Sequence, residues 1–98
     1  MNGQAPPPAR PGPSIRRFWV DNNAVGSGKC VRFEWKADNA DGVNLYRSNN
    51  RVVTSAGRDG SHTDCPLGGN WDYRLEAYGN GNVSQTIWVT VSGRSREE

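Results

Sequence analysis

Cysteine and histidine are the residue types in this sequence that could hold a metal or carry out redox chemistry. Cys30 and Cys65 are the only cysteines and His62 is the only histidine among the 98 residues. The two cysteines lack the Cys-x-x-Cys spacing of a redox pair or a zinc ribbon. Together with His62 they also fall short of the four ligands of a structural zinc site. The sequence therefore predicts neither a redox centre nor a zinc centre.

The two cysteines leave two interpretations open. Either both are free thiols of a cytosolic protein, or Cys30 and Cys65 form a disulfide bond. Each stands at the end of a candidate strand rather than in its middle, which favours the disulfide. Such a bond would contribute about 4 kcal/mol by the loop-closure argument, a large share of the stability of a small domain. Because disulfides persist in oxidising compartments, this interpretation predicts an extracellular or cell-surface protein.

Candidates for catalysis are few, and the sequence predicts that the protein is not an enzyme. His62 and Asp64 are two residues apart and share one face of a strand, while Ser61 points away from them. Glu34 and Glu76 occupy outward positions of two strands, where charged residues ordinarily face solvent. We expect a solvated histidine and two surface carboxylates rather than catalytic groups.

A short run of oxygen-bearing side chains is the remaining candidate for metal binding. Asp38, Asn39 and Asp41 lie in the sequence ADNADG, and oxygen ligands are those that calcium prefers. Their spacing does not fit a helix–loop–helix calcium loop, and Asp and Asn before Gly are typical of an ordinary turn. We predict a turn, no metal site and no cofactor.

The composition indicates one small, turn-rich domain. Glycine occurs 12 times and proline 6 times, and the hydrophobic 34% includes four Trp, three Tyr and two Phe. These large rings can supply much of a core. The net charge of +2 does not favour nucleic-acid binding. No apolar run approaches the roughly 18 residues of a membrane span, so we predict no membrane insertion. We also predict that the isolated domain is monomeric.

Alternating apolar and polar residues predict an all-β architecture. In the run KCVRFEWK, Val31, Phe33 and Trp35 point one way and the charged residues the other. The run WDYRLEAY alternates in the same way, and a bulge near Arg16 and Arg17 reconciles the less regular run at residues 14–20. Turn signals separate about seven such strands, which suits two packed antiparallel sheets. Residues 1–13 are predicted to be a Pro-rich linker, 14–92 the sandwich and 93–98 a flexible tail.

The order of these features resembles bacterial immunoglobulin-like modules over residues 14–92. The residues that carry the resemblance are, in chain order, Ile15-x-x-Phe18, Gly28-x-Cys30-x-x-Phe33-x-Trp35, Val43-x-Leu45, Cys65-Pro66 and Tyr73-x-Leu75-x-Ala77. Such modules occur in secreted and surface-anchored proteins and in the extracellular parts of receptor-like kinases, and they resemble immunoglobulin and fibronectin type III domains in fold.

The resemblance also implies where the disulfide lies. Tyr73 is similar to the tyrosine corner of these sandwiches. Antibody-type domains join their two sheets with a disulfide, but Leu75 occupies the corresponding position here. Cys30 would instead begin the second strand and Cys65 would end the strand that pairs with it. The bond is then expected to be a peripheral one between neighbouring strands.

In a sandwich of this kind the third, sixth and seventh strands are neighbours, and their outward residues form the candidate binding face. Its members are Tyr46, Arg74, Glu76, Tyr78 and Trp88, together with Trp19 if the first strand pairs with the last. Aromatic rings beside charged groups suit the recognition of a protein or a carbohydrate. A competing interpretation is that Trp88 and Trp19 cover a sheet edge, or pack against the Pro-rich arm or against another domain of the parent protein.

These observations predict a function without catalysis. We expect an extracellular module that acts as a spacer or protein-interaction domain of a larger secreted or surface protein. The alternative is a carbohydrate-binding module that uses the exposed aromatic rings.

Overall fold

The computed structural model describes residues 11–92 and forms eight strands within that range. Their bounds are β1 Ser14–Val20, β2 Ala24–Val25, β3 Val31–Asp38, β4 Ala40–Arg47, β5 Asn50–Ala56, β6 Asp59–Asp64, β7 Gly69–Gly79 and β8 Gly81–Val91. The described segment contains no helix of the length and apolarity needed to cross a membrane. The predicted all-β class is confirmed.

The strands form two sheets. The three-stranded sheet has the order β1-β3-β6, and the five-stranded sheet has the order β2-β8-β7-β4-β5. Every pair is antiparallel except β2 and β8, which run parallel at Ala24 opposite Thr90 and Val25 opposite Val91. The two-residue strand β2 raises the expected number of about seven strands to eight.

Alternation within β3 and β7 builds the core between the sheets. Phe33 and Tyr73 are fully buried, and their ring centroids are 4.3 Å apart, with Phe18 stacked on Phe33 at 5.9 Å. Aromatic pairs at such distances are favourable beyond the area that they bury. The buried apolar residues of this core are Val31, Phe33, Trp35, Ala37, Ala40, Val43, Leu45, Tyr73, Leu75, Ala77, Val89 and Val91.

Two local features decide how the strands meet. The β1–β3 register shifts between Ile15 and Arg17, which confirms the predicted bulge. The turn in ADNADG is shorter than expected, because β3 continues to Asp38 and β4 begins at Ala40. Asn39 makes the connection with a φ of 58°, a left-handed conformation that Asn tolerates better than most residues.

Cys30 and Cys65 form a disulfide bond, as predicted. In the β3–β6 pairing Val31 lies opposite Asp64, so the two cysteines extend that register by one position. The bond therefore joins neighbouring strands of one sheet, at its periphery, and the interpretation of free thiols is wrong.

The chain contacts the sandwich shortly before β1 begins. Pro13 is buried, and a Cβ added to Gly12 would lie 3.2 Å from the carbonyl oxygen of Asn80 in the β7–β8 hairpin. The predicted linker falls for the most part on residues 1–10, and the predicted tail is residues 93–98; both ranges lie outside the described residues.

Candidate binding face

The candidate binding face lies on the outer side of the five-stranded sheet. Its strands β4, β7 and β8 are adjacent, which is the neighbourhood expected from the sequence. Tyr46 lies opposite Arg74 across β4 and β7, and Asp72 lies opposite Trp88 across β7 and β8. Cross-strand neighbours on one face have Cβ atoms about 5 Å apart, so one surface carries these side chains together.

Two arginines approach the ring of Tyr46. The guanidinium carbon of Arg74 is 4.5 Å from the ring centroid and that of Arg51 is 5.5 Å from it. Arg51 also donates a hydrogen bond from Nη2 to the Tyr46 hydroxyl at 3.2 Å. Cation–π contacts of this kind hold a guanidinium in a fixed orientation. Arg51 was not predicted as a member of the face, because its strand does not alternate clearly and shifts register twice against β4.

The carboxylate of Glu76 is held by three neighbours. Its Oε1 accepts hydrogen bonds from the Tyr46 hydroxyl at 3.1 Å and from Asn44 Nδ2 at 3.3 Å, and its Oε2 accepts one from Asn82 Nδ2 at 3.4 Å. Asn44 is 92% buried, and its Oδ1 accepts a hydrogen bond from the backbone N–H of Ser55 at 2.9 Å. The Glu76 carboxylate therefore links Tyr46, Asn44 and Asn82 within the candidate binding face.

The hydroxyl end of the Tyr78 ring packs against Gly42 of β4, which has no side chain. A Cβ at Gly42 would come within 2.5 Å of the Tyr78 hydroxyl oxygen and 2.9 Å of the ring carbon that bears it. The Tyr78 ring is consequently half-buried at one end of the candidate binding face.

Trp88 is the aromatic residue of the face with the most exposed side chain, at 61%. The indole N–H groups of Trp35 and Trp71 donate to the backbone carbonyls of Gly57 and Leu67 at 3.0 and 2.7 Å. Within residues 11–92, Trp88 has neither such a hydrogen bond nor a contact with another ring or cation. Its cross-strand neighbour Asp72 accepts a hydrogen bond from Ser48 Oγ at 3.0 Å.

Trp19 does not belong to this face. The first strand pairs with β3, where Trp19 lies opposite Glu34, and not with the last strand. The condition under which Trp19 would join the face is therefore not met. Because Phe18 points into the core, Trp19 projects from the opposite sheet, where the Arg17 guanidinium lies 5.3 Å from its ring centroid.

A second polar cluster closes one end of the sandwich. Asp64 Oδ2 accepts hydrogen bonds from the Tyr73 hydroxyl at 2.6 Å and from Arg47 Nη1 at 2.7 Å. Burial alone would raise the pKa of Asp64, but the hydrogen bonds from Tyr73 and Arg47 outweigh it and hold that pKa below its usual range. Burial and the Asp64 carboxylate together raise the pKa of Tyr73. The sequence resemblance predicted a tyrosine corner, in which the hydroxyl bonds to the backbone, but the Tyr73 hydroxyl donates to the Asp64 side chain instead.

The residues considered for catalysis do not form a catalytic arrangement. His62 and Asp64 share one face of β6, as predicted, but His62 lies opposite the core residue Phe33 and is half-buried rather than solvated. The Asp64 carboxylate is engaged by the cluster just described. Glu34 and Glu76 project from different sheets, so the sandwich separates them.

The possible calcium ligands Asp38, Asn39 and Asp41 lie where β3 passes into β4. Asp38 forms an ion pair with Arg16 at 3.1 Å. Residues 11–92 contain no group of three or more His, Cys, Asp or Glu side chains placed to hold a metal ion. Over the same residues no pocket opens on the surface, so the candidate binding face offers no enclosed ligand cavity.

Comparison with known proteins establishes the fold and no more. No protein-family model matches the sequence, and no curated protein matches it either. Among solved structures, the chain is similar to a chimeric titin Z1Z2 functionalized with a KLER exogenous peptide from decorin, with a TM-score of 0.67 and 17% identity. The similarity covers 84% of this chain and 96% of that one. The titin domain is immunoglobulin-like, which confirms an immunoglobulin-like β-sandwich for this protein.

Proposed function

We propose that this protein is a non-catalytic interaction module that binds another protein through the candidate binding face. The observation that carries the proposal is Trp88, a large indole that is 61% exposed on the outer side of the five-stranded sheet. Buried aromatic anchors supply much of the binding energy of protein interfaces. A surface with one apolar anchor and polar neighbours suits a protein partner.

The arrangement of the rings favours a protein over a carbohydrate. Stacking against successive sugar units needs several rings with free faces. Within residues 11–92, Arg51 and Arg74 lie against Tyr46, Tyr78 packs over Gly42, and Trp88 is the one aromatic residue of this face with an open ring. Trp19 projects from the other sheet and adds no second platform. Carbohydrate binding is kept as an outcome of the test.

Secretion or display at a cell surface is part of the same proposal. The Cys30–Cys65 bond supports it, since disulfides are stable where the surroundings are oxidising. We place the module within a larger secreted or surface protein, where it acts as a spacer as well as a binding domain. The bacterial origin suggested by the sequence resemblance remains a prediction.

Selection from an unbiased displayed library of peptides and small domains tests the proposed face. Binders selected on the wild-type protein are measured again on Trp88→Ala and on Trp19→Ala, which removes an exposed indole from the opposite sheet. We expect the Trp88 variant to weaken most binders by about 2 kcal/mol or more, as for an interface hot spot, and the Trp19 variant to leave them unchanged.

Two results would contradict the proposal. Binders that are insensitive to Trp88→Ala would place the interaction elsewhere. An array of neutral and acidic glycans, probed in parallel, would favour the carbohydrate alternative if it gave Trp88-dependent binding while the protein library gave none. Circular dichroism and thermal unfolding verify that both variants keep the fold.

A further inference from the structure

We infer that the partner presents a carboxylate-rich peptide segment to the candidate binding face, with Arg51 and Arg74 receiving its acidic side chains. This inference rests on the proposed function and specifies the chemistry of the ligand.

The arginines and the glutamate of the face differ in the contacts that they make within the protein. Within residues 11–92, neither Arg51 nor Arg74 forms an ion pair with a carboxylate; their recorded contacts are with Tyr46. Glu76, the carboxylate closest to that ring, already accepts three hydrogen bonds. Its oxygens therefore bond to Tyr46 and two asparagines rather than to an arginine, and the guanidiniums retain N–H donors for an external acceptor.

Asp72 is a further acidic side chain on this surface. It lies across from Trp88 rather than in the row formed by Arg51, Tyr46 and Arg74, and Ser48 occupies one of its oxygens. Asp72, Arg74 and Glu76 alternate along the outer face of β7. The face therefore has two parts, an arginine row that reaches the edge strand β5 and the exposed indole of Trp88 on β8. A ligand that carries carboxylates toward β5 and an apolar residue toward Trp88 complements both parts.

The stacking of Arg74 adds geometric selectivity. A guanidinium placed over an aromatic ring keeps its N–H edge available for two parallel bonds to a carboxylate. The Arg74 guanidinium carbon lies 4.5 Å from the Tyr46 ring centroid without a ligand, and a side chain that is already in contact loses less freedom on binding. Sulfated or uronic glycans share the negative charge, but the single open ring of Trp88 favours a peptide, whose side chains can reach both the indole and the arginines.

The library selection described above also tests this inference, through the sequences of the binders. Binders that depend on Trp88 should be enriched in Asp and Glu relative to the unselected library. Their dissociation constants should rise at least tenfold on Arg51→Gln with Arg74→Gln. Arg17→Gln is the matched control, because Arg17 lies over the Trp19 ring on the opposite sheet, and it should have no effect.

A double-mutant cycle then tests direct contact. Changing the acidic residues of a selected peptide to Asn or Gln should weaken binding to the wild-type protein at least tenfold and change binding to the arginine variant little. Higher salt should weaken the wild-type complex more than the variant complex.

The results separate a failure of the carboxylate inference from a failure of the proposed function. Trp88-dependent binders without acidic enrichment, unaffected by the arginine variant, overturn the carboxylate inference and leave the interaction module standing. Arginine-dependent binding to sulfated or uronic oligosaccharides, with no acidic peptides selected, overturns it in favour of a glycan. A selection that yields no Trp88-dependent binder overturns both proposals.

Discussion

Removing one hydroxyl group should reveal how much the polar cluster at the end of the sandwich contributes to stability. The substitution Tyr73→Phe keeps the ring that packs 4.3 Å from Phe33 and deletes the donor that lies 2.6 Å from Asp64 Oδ2. Arg47 remains bound to the same oxygen at 2.7 Å. The substitution therefore isolates a single hydrogen bond to a partly buried carboxylate.

The expected cost follows from the kind of bond that is lost. A hydrogen bond to a charged group contributes about 1.5–3 kcal/mol, and an acceptor left short of a partner adds to the loss. For a domain of this length a loss of 2 kcal/mol lowers Tm by roughly 8–16 °C. We expect Tyr73→Phe to fall within this range.

The pH dependence provides a sharper test. The pKa of Asp64 in the folded protein lies below its usual range, so the folded state binds fewer protons than the unfolded state in mild acid. The resulting stability is present above the unfolded pKa of about 3.9 and is lost as the pH falls through the folded pKa. Tyr73→Phe raises that folded pKa. The difference in unfolding free energy between wild type and variant should therefore be largest near neutral pH and shrink below about pH 4.

Urea unfolding followed by tryptophan fluorescence, at several values between pH 7 and pH 2.5, measures this difference. Tyr78→Phe is the control, because the Tyr78 hydroxyl makes no hydrogen bond within residues 11–92, and it should change stability by less than about 0.5 kcal/mol. A cost for Tyr73→Phe that is equal to that of the control, or that stays constant across the pH range, would refute the reasoning.

Three further outcomes are expected. Removing the disulfide, whose cysteines are 35 positions apart, should lower the unfolding free energy in urea by about 4 kcal/mol; a loss below about 1 kcal/mol would contradict the loop-closure argument. Gly60→Ala should cost about 1–3 kcal/mol because its methyl group would lie 2.9 Å from the buried Trp35 ring, whereas Gly57→Ala, with 3.7 Å to the nearest atom, should be tolerated in thermal unfolding. Since the pKa of Tyr73 is raised on folding, stability should be retained below its unfolded pKa of about 10 and decline above it; unfolding curves at pH 9 and pH 11 that coincide would be inconsistent with this.

The regular strands could be predicted because apolar side chains that are buried alternate along them with polar side chains that are less buried. In β3 every second residue is buried, and in β7 the residues Tyr73, Leu75 and Ala77 are fully enclosed. An alternation with a period of two residues can be recognised in a single sequence. The disulfide was predictable for a related reason, since the two cysteines lie at the ends of neighbouring strands.

The remaining features depend on partners far apart in the chain. A strand of two residues such as β2 carries no periodicity, and its parallel pairing with β8 joins Ala24 to Thr90, which is distant along the chain. Trp19 alternates correctly with Phe18, but only the pairing of β1 with β3 decides which outer surface it joins. Arg51 could not be predicted as a member of the face, because its place there depends on its contact with Tyr46 on the adjacent strand.

The bond between Cys30 and Cys65 closes part of the backbone into a covalent ring. From Cys30 the ring runs through β3, crosses to the other layer for β4 and β5, and returns through β6. A protease that cuts at an exposed point of this ring, such as Asn49, would open it without releasing a fragment. The two pieces would stay joined through the disulfide, so the strands of the candidate binding face would remain parts of one covalent molecule.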